Sequence, residues 1–368
     1  MRECVLPSRL RILALGALLS GLAAAPSSAL EPITDCEPVG RARPICGFQN
    51  PEDLALLPDG RTLLVSEYGN LEGGRAGDLA SFDTRSETRA VLFRGGDAAQ
   101  ARAAAGWGDA GCPGPPGASF SPHGIGLDRR SDGALQLLVV QHGGRESVEF
   151  FEVTGDAARG WKLAWRGCAL PPPDAYLNDV VALPGGGFAA THMLPRSEGE
   201  KGVEQGPELP ASGHVLEWTP GAGFARLPGS DTAIANGIER SRDGRVLYVN
   251  SSGGNELFAL ERASGRVLRR IPIPLPDNST WAPDGRLIVA SLVGGWEITS
   301  LCRTLGGRAC PSEFQLLAVD PETGASEVLY RNAGRPMGAG TVGLRVGNAL
   351  YAGSFASDRL LRIELTPP

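Results

Sequence analysis

Asn236-Gly-Ile-Glu-Arg-Ser-Arg-Asp243-Gly244-Arg245-Val-Leu-Tyr-Val-Asn250 continues through Glu256-Leu-Phe-Ala-Leu260, Ala263-Ser-Gly265 and the run Val267 to Ile273, and holds the clearest copy of a unit that recurs along the chain. It reads as an inner strand entered through a polar residue, an Asp-Gly turn, a middle strand, and a hairpin ending in an outer strand, because short β-branched and aromatic runs alternate with turn residues. The spacing returns elsewhere. Glu52 leads Asp59-Gly60 by seven positions, Asn178 leads Gly185-Gly186 by seven, Asp277 leads Asp284-Gly285 by seven, and His123 leads Asp132-Gly133 by nine. In the last copy Gly340-Thr341 precedes Gly347-Asn348, without a metal-type side chain. Repeats of this size each contribute one piece of supersecondary structure. Four-stranded units arranged radially make a propeller. The expected fold is therefore all-β, a six-bladed β-propeller whose polar residues converge on a central tunnel; an open array of β-sandwiches is the alternative.

Further hairpins are expected at Leu79–Phe93, Val148–Trp165, Val215–Leu227 and Leu316–Tyr330. The last unit ends at Arg359–Leu365 with no returning strand, so the segment around Val39–Phe48 is expected to supply it and close the ring, which removes an exposed edge. The long loops 69–78, 98–121, 195–212 and 293–312 are expected to crown one face, where specificity resides.

Composition narrows the classes. The chain has 368 residues, 42% hydrophobic, with Gly 51 and Pro 29 spread among short runs. A net charge of −6 and no Lys/Arg cluster argue against nucleic acid as a partner. Arg2, Arg9 and Arg11 precede an apolar run from Ile12 to Ala25, and Ser27-Ser28-Ala29 offers a cleavage site. This is the layout of a secretory signal over residues 1–29, with an uncleaved anchor as the alternative. Residues 30–368 then form a single exported domain, periplasmic or secreted, with no further membrane span. Removing the signal leaves Cys36, Cys46, Cys112, Cys168, Cys302 and Cys310. An even count in an exported chain suggests disulfides, and six cysteines allow 15 pairings. Cys36–Cys46 and Cys302–Cys310 would close short loops and leave Cys112–Cys168. No CxxC supports zinc or thiol redox chemistry.

Pro51-Glu-Asp-Leu54, Ser121-Pro-His-Gly-Ile125, Leu137-Leu-Val-Val-Gln-His142, Leu177-Asn-Asp-Val-Val-Ala182, Ala235-Asn-Gly-Ile238 and Asp277-Asn278 follow in order along the chain. In that order the chain resembles the paraoxonase/arylesterase family of calcium-dependent hydrolases, within the gluconolactonase-like six-bladed propeller superfamily. The resemblance implies two Ca²⁺ ions in the tunnel. Glu52, Asn178, Asn236, Asp277 and Asn278 match the ligands of an upper, catalytic ion. Asp53 and Asp179, with backbone carbonyls near Ile125 and Asn178, match those of a deeper, structural ion. His123 and His142 match a histidine pair beside the upper ion. Three departures stand out. Ile363 occupies the C-terminal position where animal members place a cysteine, so the two nearby N-terminal cysteines are expected to pair with each other. The stretch around Thr191-His192 differs from the family pattern, which leaves His192 without an assigned role. Loop 195–212 looks short for the lipid-associating surface of some members.

The residue types fit such a site. Two carboxylates and three amides are hard oxygen donors, which suits calcium and suits zinc poorly; the competing reading is that Asn and Asp merely cap turns. His123 is the expected general base, oriented by His142, with Asp277 as a competing base or nucleophile. The expected chemistry is Lewis-acid catalysis at the carbonyl of a small-molecule lactone or aryl ester. No Gly-x-Ser-x-Gly elbow argues for a serine hydrolase. Phe120, Ile234, Trp281 and Phe355 are expected near the mouth, favouring an apolar substrate. A sugar lactone is the alternative substrate, and a calcium-stabilised binding propeller the alternative class.

Overall fold

In the computed structural model, which describes Met1 and residues 30–69, 75–198 and 211–365, the repeated unit forms six four-stranded antiparallel sheets. The first blade is Pro51–Leu56, Thr62–Glu67, Asp78–Asp83 and Thr88–Arg94, and the second is Pro122–Arg129, Leu135–Gln141, Ser147–Asp156 and Gly160–Ala169. The third comprises Ala175–Ala182, Phe188–Pro195, His214–Thr219 and Gly223–Arg226; the fourth comprises Ala235–Arg240, Val246–Ser251, Glu256–Glu261 and Arg266–Pro272. Pro276–Trp281, Leu287–Ser291, Gln315–Val319 and Ser326–Arg331 make the fifth. The sixth joins Gly340–Val346, Ala349–Ser354 and Arg359–Glu364 to the N-terminal strand Ala42–Cys46, with Ala42 opposite Ile363 and Cys46 opposite Arg359. The inner strands of successive blades lie side by side around the ring, the first also against the sixth. Residues 1–29 fall almost wholly outside the described residues, so the signal-segment expectation has no structural counterpart.

The core lies between blades. Leu137 and Val139 pack with Leu64, Leu79 and Phe93 of the first blade, while Leu138 and Val140 pack with Leu177, Val180 and Phe188 of the third. Successive side chains on a strand point to opposite faces, and a sheet covered on both faces needs an unbroken apolar run. That accounts for Leu137-Leu-Val-Val140, which is fully buried. The turns show their local chemistry as plainly: Asp59 Oδ1 accepts the amides of Arg61 and Thr62 at 3.0 and 2.8 Å, and Gly60 takes φ 68°.

Each inner strand breaks register where its polar residues stand. The breaks fall at Pro51/Asp53, Pro122/Ile125, Leu177/Val180, Ala235/Ile238, Pro276/Ser279 and Gly340/Val342. A bulge leaves its extra residues unpaired and re-aims them. Neighbouring inner strands approach closely here. A Cβ on Gly124 would lie 2.5 Å from the Asn178 carbonyl oxygen, and one on Gly237 would lie 2.5 Å from that of Asp277.

One long loop departs from expectation, and another crowns the upper end but carries a helix. Loop 98–121 does not crown the mouth throughout: Arg102 and Ala104 donate their amides to Trp165 and Arg166, and Asp109 to Cys168, along the outer strand of the second blade. Loop 293–312 folds into the helix Trp296–Arg303. Loops 69–78 and 195–212 are described only in part. Three disulfides form, Cys36–Cys46, Cys112–Cys168 and Cys302–Cys310. Among the described residues no helix is long and apolar enough to cross a membrane.

Candidate functional site

The bulges bring Glu52, His123, Asn178, Asn236 and Asp277 to one cavity of about 340 Å³ at the upper end of the axis. Asn278, on the bulge beside Asp277, reaches the same cluster by donating its amide to Glu52 Oε1 at 2.9 Å. The other amides are also held by their nitrogens. Asn236 Nδ2 donates to Ser252 Oγ at 3.0 Å, and that hydroxyl donates to the Pro276 carbonyl at 2.6 Å. Asn178 Nδ2 lies 3.7 Å from Met193 Sδ. Their oxygens are left over: Glu52 Oε2, Asn178 Oδ1, Asn236 Oδ1 and Asn278 Oδ1 are buried with no hydrogen-bond partner.

Such atoms are costly without a counterpart. The charges make the same demand. Burial raises the Glu52 carboxyl well above its ordinary range, and repulsion from Asp53, Asp277 and Asp179 adds to it. Burial, then Asp53, raises Asp277 and Asp179 as well, and burial alone raises Asp53. Among the described residues no lysine or arginine forms an ion pair with these four; Arg303 lowers Asp277 without pairing with it, and His123 Nε2 lies 3.7 Å from Glu52. A cation with several hard oxygen ligands satisfies both demands. Among the described residues no three His, Cys, Asp or Glu side chains form a ligand cage by themselves, in keeping with a donor set that is largely amide.

Asp53 and Asp179 lie deeper, lining a second cavity of about 810 Å³ at the opposite end. Each clamps the next blade: Asp53 Oδ2 accepts the Ile125 amide at 2.8 Å and Asp179 Oδ2 accepts the Ile238 amide at 2.8 Å. Ile125 thus meets Asp53 through its N–H.

His123 Nδ1 lies 2.9 Å from His142 Nε2, and His142 Nδ1 lies 2.9 Å from Glu146 Oε2. Tyr68 stacks on His123 at 4.5 Å and Tyr176 on His142 at 4.4 Å. Burial, then His142 and Arg303, hold His123 well below the ordinary imidazole range, so it is uncharged at neutral pH. Glu146, Tyr68 and Tyr176 were not among the residues expected from the sequence, and neither was the helix that brings Trp296, Thr299 and Arg303 to the cavity. Glu146 sits in a hairpin loop outside the repeat register, where no spacing marks it.

Ile234 and Phe355 line the upper cavity as expected, but Trp281 and Phe120 do not. Trp281 lines the opposite cavity: four residues beyond Asp277 on an inner strand, it lies about 13 Å further down the axis. Phe120 is fully buried against Phe93 in the core between the first two blades. His192 stays outside the cavity lining, accepting the Tyr176 amide at 3.2 Å and packing on His214.

No curated protein matches the chain. The profile of the SMP-30/Gluconolactonase/LRE-like region matches residues 123–302. Among solved structures, the chain is similar to a gluconolactonase from Xanthomonas campestris, with TM-score 0.50 and 18% identity over 88% of this chain and 89% of that one. It is similar also to a luciferin-regenerating enzyme, with TM-score 0.52 and 14% identity over 87% and 92% of the two chains. These likenesses establish a shared propeller fold, and the profile match is confined to residues 123–302, just under half of the chain.

Proposed function

We propose that the upper end of the tunnel is the active site of a calcium-dependent hydrolase of lactones or aryl esters. The observation that carries this reading is the group of four buried, partnerless oxygens in one cavity beside His123, which is hydrogen-bonded to His142. Glu52, Asn178, Asn236, Asp277 and Asn278 would hold Ca²⁺, their donor chemistry being that of a calcium site. When bound, the ion supplies a Lewis acid for a carbonyl and for the charge that develops on it. Asp53 and Asp179, with carbonyls near Ile125 and Asn178, are proposed to hold a second, structural Ca²⁺.

The chain's own residues supply the rest. His123 presents Nε2 to the cavity, takes a proton from an attacking water, and is backed at Nδ1 by His142. Tyr68 keeps the His123 ring in plane. Asp277, whose carboxyl is raised by burial, is the competing base. Met193, Ile234, Leu275, Leu292, Trp296 and Phe355 offer an apolar wall for the substrate and exclude bulk water. A sugar lactone is a second reading, favoured by the gluconolactonase-type profile over residues 123–302. Three disulfides and the basic-then-apolar N-terminus support export.

The test is hydrolysis of phenyl acetate, of γ- and δ-lactones with alkyl chains, and of glucono-δ-lactone, before and after chelation. Turnover lost on chelation and restored by calcium is expected, with alkyl lactones preferred. Preference for glucono-δ-lactone selects the sugar reading. No turnover by folded, calcium-loaded protein rejects hydrolysis and leaves a binding propeller.

A further inference from the structure

Glu146 closes a chain of three groups. Its side chain is 7% exposed and is held at both oxygens. Oε1 accepts the Leu177 backbone amide at 2.7 Å, from the inner strand of the third blade. Oε2 accepts from Arg196 Nη1 and faces His142 Nδ1 at 2.9 Å. Arg196 also donates to the His142 carbonyl at 3.3 Å and lies over Tyr176, the ring stacked on His142. The carboxylate is thus anchored from the neighbouring blade and presented to one imidazole nitrogen.

We infer that Glu146 is a positioning residue that sets the proton order of the histidine pair, so that His123 offers an unprotonated Nε2 to the cavity. This rests on the hydrolase reading only for its kinetic consequence. A carboxylate held by an arginine and a backbone amide accepts and does not donate, so His142 Nδ1 carries a proton. With that single proton on its ring, His142 keeps a lone pair on Nε2. The 2.9 Å contact with His123 is a hydrogen bond only if His123 Nδ1 carries the proton. The remaining nitrogen, His123 Nε2, is left with its lone pair, 3.7 Å from Glu52 and beyond hydrogen-bond range. A hydrogen bond at one imidazole nitrogen decides the role of the other. When His123 Nε2 takes a proton from water, its Nδ1 proton can pass to His142 Nε2. The charge then ends on His142 beside Glu146.

Glu146→Gln tests the order with little change of shape. With its oxygen kept on the Leu177 amide, the new NH₂ takes the place of Oε2, displaces the Arg196 guanidinium that donates there in the wild type, and faces His142 Nδ1. His142 must then accept there and carry its proton on Nε2, which forces His123 to accept at Nδ1 and to carry its own proton on Nε2. The chain has 4 histidines, so ¹⁵N-histidine NMR of the folded full chain can follow them all, with His192 and His214 assigned by substitution. Expected are Nδ1-protonated rings at positions 123 and 142 in the wild type, Nε2-protonated rings in Glu146→Gln, and kcat lower on the order of 10²-fold with KM little changed. A wild-type His123 protonated at Nε2, or unchanged tautomers in the variant, overturns the assignment. Inverted tautomers with unchanged kcat overturn the positioning role. The wild-type spectrum decides the proton order even if the variant does not fold. If no ester or lactone is turned over, the hydrolase reading falls while the spectrum still decides.

Discussion

An asparagine can aim its carbonyl oxygen inward only if another group takes its amide hydrogens. Ser252 does this for Asn236, and Glu52 does it for Asn278. Asn236→Ala is therefore expected to abolish turnover with an unchanged circular dichroism spectrum. Ser252→Ala, which leaves every proposed ligand in place, should weaken calcium binding about 10–100-fold, read by calorimetric titration. Glu52, Asn178, Asn236 and Asp277 were legible because each stands seven residues before its turn, whereas Asn278, Asp53 and Asp179 came only from the family resemblance. Ser252 and Glu146 were not legible, because their meaning arises only when the next blade lies alongside: Ser252 reaches Pro276, and Glu146 reaches Leu177.

The bulge on each inner strand is the element that makes the site. In a regular strand Asp277 and Asn278 would point to opposite faces; the break between Pro276 and Ser279 lets both serve the axis. The position of these residues on inner strands was readable from turn spacing, but the depth of a side chain along the axis was not, and Trp281 shows it. The helix Trp296–Arg303, which lines the upper cavity and forms a lid on it, was hidden for another reason. Gly294-Gly295 and Gly306-Gly307 flank the stretch and read as loop, yet packing of Cys302 and Leu305 on the core holds a helix between them. Cys302–Cys310 ties this lid down. Replacing both cysteines by serine should lower stability by about 2–3 kcal/mol in denaturant titration and raise KM more than it lowers kcat. Equal losses in kcat and KM would argue that the lid does not shape binding.

At the scale of the whole molecule, the ring depends on its closure and on the charge at its centre. Arg359 is fully buried and donates to the carbonyls of Ile33, Asp35 and Pro336, joining the last blade to the N-terminal segment. Each carbonyl left without a partner costs about 1–3 kcal/mol, so Arg359→Ala should lose at least ~3 kcal/mol in reversible unfolding. The axial carboxylates give a pH dependence. Their folded-state pKa values lie above the unfolded ones, so the folded chain binds protons more tightly. Stability of the calcium-free protein should therefore fall as pH rises from the ordinary carboxylate range to about 8, the value for Asp277. Calcium at about 100 times its Kd should restore roughly 2.7 kcal/mol and flatten that slope. A thermal midpoint insensitive to calcium between pH 5 and 8 would count against an ion on the axis.

The strand Ala42–Cys46 leaves the ribosome long before its partner Arg359–Glu364. The five blades that carry the polar groups are translated while the ring is still open. Pairing at this separation is the slowest kind of contact to make. A chain that lacks its last strand thus carries every polar group of the axis without the pairing that closes the ring around it.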